Sequence, residues 1–325
     1  MKVLVVGGAG YIGSVTVDHL LEAGHDVTVL DSLVSGHRQA LNPEAEFVQF
    51  DVRDETGLAR LFANHSFEAV VYYGGYIQAG ASVRQPGRYF ANNVGGCISI
   101  LNAMLTYGVT RFVFSSSAAV YGEPDTAPIP EDAPIRPVNP YGESKAIVER
   151  MLPWYASRSG LRYVSLRYFN AAGATELRGE DHRPETHLIP TVLQVALGQR
   201  PTVPLYGTDY ATSDGTCVRD YIHVSDLAAA HLLALAKTES ESGVYNLGDG
   251  RGFSNREVIE VARRVTGQPI AVNERGRRAG DPAILVASYE RARRELGWQP
   301  QVTGLEEIIE SAWRWQRAHP RGYGD

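Results

Sequence analysis

In the first half of the chain, short apolar runs rich in strand-forming residues alternate with longer stretches whose apolar positions recur at helical spacing. The runs fall at 2–6, 26–30, 47–50, 69–73 and 111–115, with helical patterns at 12–23 and 141–159 and a further run at 162–167. Strands separated by helices need crossover connections, and crossovers build a parallel sheet. The pattern therefore predicts an α/β fold, a doubly wound parallel sheet with helices on both faces.

Beyond residue 170 this alternation gives way to segments punctuated by glycine and proline. Loops at 173–187 and 207–215 flank a helix near 188–197, and amphipathic helices follow at 254–266 and 305–317, the first opened by Ser254 as N-cap. Loops of this length in a compact protein usually carry function. The proline-rich stretch 124–140 reads as a surface loop entering the next helix. A large domain is expected over 1–168, joined by part of 216–247, with a smaller C-terminal α/β substrate-binding domain over most of 169–325.

Composition narrows the classes. The 325 residues carry a formal charge of −6 and are 44% hydrophobic, the profile of a soluble globular chain. Net acidity without a run of five or more Lys/Arg argues against nucleic acid as a partner. No apolar stretch approaches the roughly 18–20 residues that span a bilayer, and the first strand runs straight into glycines with no signal-peptide pattern, so no membrane contact and a cytoplasmic location are expected. Cys97 and Cys217 are too few for a disulfide framework or a cysteine zinc site. Lysine occurs only at positions 2, 145 and 237, so every other cationic side chain is arginine.

Directly after the first strand, Gly7, Gly10 and Gly13 form a G-x-x-G-x-x-G turn that opens a helix. Glycines let backbone approach a pyrophosphate, whose charge meets the exposed N–H groups of the helix start. Asp31 ends the second strand, where a carboxylate accepts from adenosine ribose hydroxyls and repels a 2′-phosphate. The combination reads as a Rossmann-type site for NAD. Asp51 and Val52, after the third strand, are candidates for the edge of the adenine pocket.

A second constellation joins Ser115, Ser116 and Ser117 at a strand end to the segment 139–145, NPYGESK. Asn139 and Pro140 suit the N-cap and N1 positions, which puts Tyr141 and Lys145 one turn apart on one helical face. A tyrosine acting as base near neutral pH must lose about three units of pKa, or about 4 kcal/mol, and a neighbouring ammonium supplies interactions of that order. In a chain that otherwise uses arginine, a lysine at this spacing stands out, because a compact ammonium fits where a planar guanidinium does not.

These residues resemble the extended short-chain dehydrogenase/reductase superfamily, and within it the UDP-glucose (UDP-galactose) 4-epimerases. Seven segments match in order: 7–13, 115–122 (SSSAAVYG), 139–145, 167–173 (RYFNAAG), 179–190 (GEDHRPETHLIP), 214–223 (DGTCVRDYIH) and 277–288 (RRAGDPAILVAS). The resemblance implies that Tyr141 takes the 4-hydroxyl proton of a UDP-sugar while hydride leaves C4 for NAD. A 4-keto intermediate then turns over, and hydride returns to its opposite face. Ser117 is implied to bond the sugar oxygen and Lys145 to hold the nicotinamide ribose. Cofactor contacts are implied for Tyr11, Ile12, Tyr73, Gly74, Gly75, Asn92 and Phe169, and substrate contacts for Asn170, His187, Leu188, Tyr206, Arg219, Arg278 and Asp281. A homodimer packed through helices near 92–107 and 141–159 is implied as well.

Several positions depart from the family pattern. Tyr72-Tyr73-Gly74-Gly75 stands where His-Phe-Ala and a small residue are usual, Val15 replaces a common histidine, and Ile77 replaces a cofactor-contacting lysine of some relatives. Leu285 aligns with a position whose size governs acceptance of N-acetylated sugars. A nucleotide-sugar 4,6-dehydratase would need an acidic pair where this chain has Ala118 and Ala119. A noncatalytic NAD-binding or sensing protein is the alternative from another class. The cluster Glu180, Asp181, His182, Glu185 and His187 lies in a proline-containing loop without helical spacing, so no metal is expected.

Overall fold

The computed structural model describes residues 1–278 and 280–324. Seven strands form one sheet in the spatial order Gly243–Leu247, Arg162–Tyr168, Arg111–Ser117, Ala69–Tyr72, Lys2–Val6, Asp26–Asp31, Glu46–Gln49. Every neighbouring pair is parallel. Chain direction across the sheet reverses between Lys2–Val6 and Ala69–Tyr72, and a crevice opens there at the carboxyl ends of the strands, where ligands bind in doubly wound sheets.

Alternation along these strands sends side chains to two separate cores. Val3, Val5, Val27, Val29 and Val71 pack on one face against helices Tyr11–Glu22 and Val224–Lys237. Leu4, Val70, Tyr72, Phe112 and Phe114 pack on the other against helices Glu55–Asn64, Gly96–Thr106 and Pro140–Ser159. Burial on both faces explains why the strands read as nearly continuous apolar runs.

The C-terminal part has its own core, in which Val192, Val258, Ile259, Ile308 and Ile309 join helices Leu188–Ala196, Asn255–Thr266 and Leu305–Ala318. Ser254 caps the second of these in a capping box with Glu257, as its sequence predicts. Most predicted elements recur with ends shifted by one or two residues. The sequence pattern gave no bounds for helix Val224–Lys237 or strand Gly243–Leu247, which carry the chain back onto the first sheet. That helix is alanine-rich and wedged between the sheet and helix Tyr11–Glu22, so it has no clean polar face to reveal a period. Among the described residues no helix is long and apolar enough to cross a membrane.

Candidate functional site

A cleft of about 730 Å³ runs from the glycine turn across the switch point to the C-terminal part. Every residue expected to bind cofactor or substrate lines it.

At one end, Gly7 adopts φ +80° and its amide donates to Leu30 O at 2.8 Å. A Cβ on Gly13 would sit 2.3 Å from Gly7 O, so the helix can start this close to the strand only with glycine there. At Gly10 a Cβ would meet nothing nearer than Gly7 O at 3.4 Å, which leaves that backbone open to the cleft. Asp31 accepts from Ala9 N at 3.0 Å and Leu33 N at 2.8 Å, so the carboxylate expected to bind ribose also ties the glycine turn to its strand. Burial pushes its pKa up, and the amide bonds pull the other way. Asp51 is paired with Arg53 at 2.6 Å beside Val52. A turn shaped by missing side chains, with an open backbone and an acid at the next strand end, suits a dinucleotide.

Helix Pro140–Ser159 starts as predicted, with Asn139 Oδ1 accepting from Gly142 N at 2.9 Å and proline at N1. It is anchored to the sheet by a buried pair, Glu149 with Arg167 at 2.6 Å, which fixes its first turn against strand Arg111–Ser117. Lys145 is buried there, and its Nζ donates to Ser115 O at 2.7 Å. Burial pulls the ammonium down to about 8. Burial also pushes the Tyr141 phenol up, opposed by its hydrogen bond with Ser117. Ser117 Oγ caps the following turn by accepting from Ala119 N at 3.2 Å.

At the other end, Arg219 and Arg278 converge on one carboxylate although they lie far apart in sequence. Arg278 donates to both oxygens of Asp281 at 2.9 and 3.0 Å, and Arg219 approaches at 3.9 Å. The Arg278 guanidinium also stands 5.4 Å over the Tyr206 ring. Asn170 Nδ2 donates to Asp220 O at 2.9 Å, with Phe169 beside it on the cleft wall. His187 N-caps helix Leu188–Ala196, and its ring stands 2.7 Å from Glu180. Burial disfavours the charged ring, but Glu180 and Glu185 outweigh it and raise its pKa well above the usual range. Glu180 is correspondingly held down to about 2: burial opposes the shift, and the two histidines produce it. The 180–187 loop is irregular, as expected, yet it gathers Glu180, His182, Glu185 and His187.

The departures from the family pattern occupy two environments. Tyr73, Gly74, Gly75 and Ile77 line the cleft, whereas Tyr72 is fully buried beneath them and Val15 sits in the core. Leu285 packs with the cluster around Tyr121 and Phe169. Asn92 belongs to a π-helical turn, Phe90–Gly95, and such turns recur at functional sites. Its neighbour Asn93 pins the cleft wall by bonding both N and O of Tyr76, at 2.8 and 3.0 Å. Sequence reasoning missed Tyr76, Gln78 and Arg88 on this wall and Asn255 opposite. Arg88 lies 4.3 Å over the Tyr76 ring. An asparagine pair before a helical run was the available signal.

Residues 3–248 match the model of the NAD dependent epimerase/dehydratase family. A UDP-glucose 4-epimerase of Lacticaseibacillus casei is 50% identical over 329 residues, covering 100% of this chain and 99% of the relative. A crystal structure of a UDP-glucose 4-epimerase superposes with a TM-score of 0.97 at 48% identity, covering 100% of both chains. The UDP-glucose 4-epimerase of Bifidobacterium longum, solved with NAD+ and UDP, gives a TM-score of 0.95 at 39% identity, covering 99% of this chain and 100% of that one.

Proposed function

The chain belongs to the NAD dependent epimerase/dehydratase family, and from that premise we propose that it interconverts UDP-galactose and UDP-glucose. It is an NAD-dependent UDP-sugar 4-epimerase by its relatives and solved neighbours. The observation that carries the finer reading is the sharing of one cleft by two groups: Ser117, Tyr141 and Lys145 beside the glycine turn, and Arg219, Arg278 and Asp281 opposite.

Bound NAD supplies the hydride acceptor and donor through which C4 of the sugar passes. The chain's own residues handle the proton and the placement. Tyr141 Oη takes the 4-hydroxyl proton and later returns it, with Ser117 bonding the same sugar oxygen. Lys145 keeps a positive charge near the phenol that offsets the effect of burial. Gly7, Gly10, Tyr11, Ile12, Gly13, Asp31, Asp51, Val52, Tyr73, Gly74, Gly75, Asn92 and Phe169 hold the dinucleotide. Arg219 and Arg278 clamp the sugar diphosphate, Tyr206 packs near the base, and Asn170, His187, Leu188 and Asp281 complete the substrate wall. Ala118 and Ala119 give no acid or base for dehydration.

We read 1–168 with part of 216–247 as the cofactor domain and the rest of 169–325 as the sugar-nucleotide domain, in a cytoplasmic homodimer. Trp154 (77% exposed) and Tyr107 (40%), on the two expected interface helices or at their ends, support the dimer, and light scattering tests it. The enzyme reading is tested by NAD content and by NMR of the sugar product from UDP-galactose. Well-folded protein with neither NAD nor turnover would sink it.

A further inference from the structure

The loop that carries His187 holds a side-chain group to which the epimerase reading gives no task. Glu180, His182, Glu185 and His187 each present one ligand atom, and these atoms lie within 4.8 Å of one another. His187 Nδ1 stands 2.7 Å from Glu180 Oε1 and 2.9 Å from Glu185 Oε1. His182 Nδ1 stands 3.0 Å from Glu180 Oε1 and 4.0 Å from Glu185 Oε2. Four nitrogen and oxygen ligands at about 2.0–2.2 Å from a tetrahedral zinc ion are about 3.4 Å apart, so the observed spacings bracket what such an ion needs.

The group is also oriented before any ion arrives. Main-chain amides of Thr186 and His187 fix one oxygen of Glu185 at 2.6 and 2.7 Å, and Oε2 remains on the side of His182. His182 sets its ring at 88° to that of Tyr11, at the start of the first helix. The carboxylates are the enclosed members, with Glu180 8% and Glu185 3% exposed. Two enclosed carboxylates are costly unless their charge is met, and one divalent ion meets both while two neutral imidazoles complete its shell.

We propose that Glu180, His182, Glu185 and His187 bind a divalent ion of the zinc class, which staples the 180–187 loop against the start of the first helix. Imidazole with carboxylate favours a borderline ion of this kind over calcium or magnesium, which prefer oxygen ligands. With Nδ1 of His187 on the ion, the ring proton is confined to Nε2, the nitrogen left to donate into the cleft. The site differs from the metal-free expectation because the loop's own amides, not helical spacing, set the geometry.

The NAD-loaded enzyme, stripped with a chelator and dialysed, is titrated with Zn²⁺ by calorimetry, and metal content is measured by mass spectrometry. One zinc per chain is expected, with affinity reduced at least about tenfold in His182→Ala and in Glu185→Gln. Co²⁺ bound to the unmutated chain should give the visible absorption of a four-coordinate nitrogen and oxygen site, a readout that does not depend on either variant folding. No saturable stoichiometric site, a six-coordinate Co²⁺ spectrum, or Zn²⁺ binding unchanged in folded variants would each mean an adventitious ion only and overturn the proposal. None of these readouts depends on turnover, so failure here is distinct from failure of the epimerase reading.

Discussion

The ammonium of Lys145 is bonded to the main-chain carbonyl of Ser115 at 2.7 Å, on the strand that ends in Ser117. Lys145 is thereby fixed one helical turn from Tyr141, enclosed rather than solvated. Lys145→Met removes the charge while keeping much of the volume, and turnover should fall by about a hundredfold or more. Burial holds the group at about 8 against its ordinary 10.5, so activity that needs the ammonium declines as pH rises through about 8. The folded form loses this proton before the unfolded chain does, so between about 8 and 10.5 the group makes folding more favourable as pH rises. An alkaline fall in kcat without a fall in melting temperature is the expected signature, and a flat profile to pH 10 would remove Lys145 from this role.

Tyr141 carries the proton in the proposed reaction, and its phenol is bonded to Ser117. Tyr141→Phe keeps the ring and deletes the acid-base atom. Turnover should drop by roughly 10²–10⁴-fold, with UDP affinity by calorimetry changed less than about threefold. Near-normal kcat in this variant would place the proton transfer elsewhere.

These two sites were legible because their signals are local. A capped helix start, an i,i+4 pair and a glycine turn after a strand each depend on neighbours a few residues apart. Convergence of Arg219 with Arg278 on Asp281 came only through family resemblance, since no spacing rule joins positions in separate strands and loops. Tyr76 and Arg88 were not legible at all. Their place on the cleft wall depends on Asn93 bonding the Tyr76 backbone from within a π-helical turn, a register shift that apolar periodicity does not encode. The 180–187 loop shows the converse error, in which lack of helical spacing was taken as lack of geometry.

The departure at residues 72–75 is a matter of packing as well as of cofactor contact. Tyr72 is fully buried beside Phe112 and Phe114, and its hydroxyl has no hydrogen-bond partner. A Cβ on Gly74 would lie 2.9 Å from the Tyr72 ring and 3.0 Å from that hydroxyl, so glycine at 74 makes room for tyrosine at 72. Tyr72→Phe should stabilise the fold by about 1 kcal/mol, because an unsatisfied buried hydroxyl is lost. Gly74→Ala should cost about 1–3 kcal/mol through crowding, and less in the Tyr72→Phe background. Denaturation of both single variants and the double variant measures the coupling. Strictly additive effects would separate the two positions.

His231 links the cleft wall to acid stability. Its Nε2 meets the Tyr168 hydroxyl at 2.7 Å and its Nδ1 meets Leu227 O at 2.7 Å, so both nitrogens are satisfied with the ring neutral. Burial lowers its pKa from 6.5 to about 4. The unfolded chain therefore takes up this proton first as pH falls, so the contribution to stability is complete above about 6.5 and lost progressively toward 4. The gap corresponds to a contribution of up to about 3 kcal/mol. His231→Asn should be less stable than the unmutated chain at pH 7.5, with the difference narrowing between pH 6.5 and 4.5. Melting curves across that range decide it, because parallel pH dependence in the two proteins would mean that His231 does not titrate with folding.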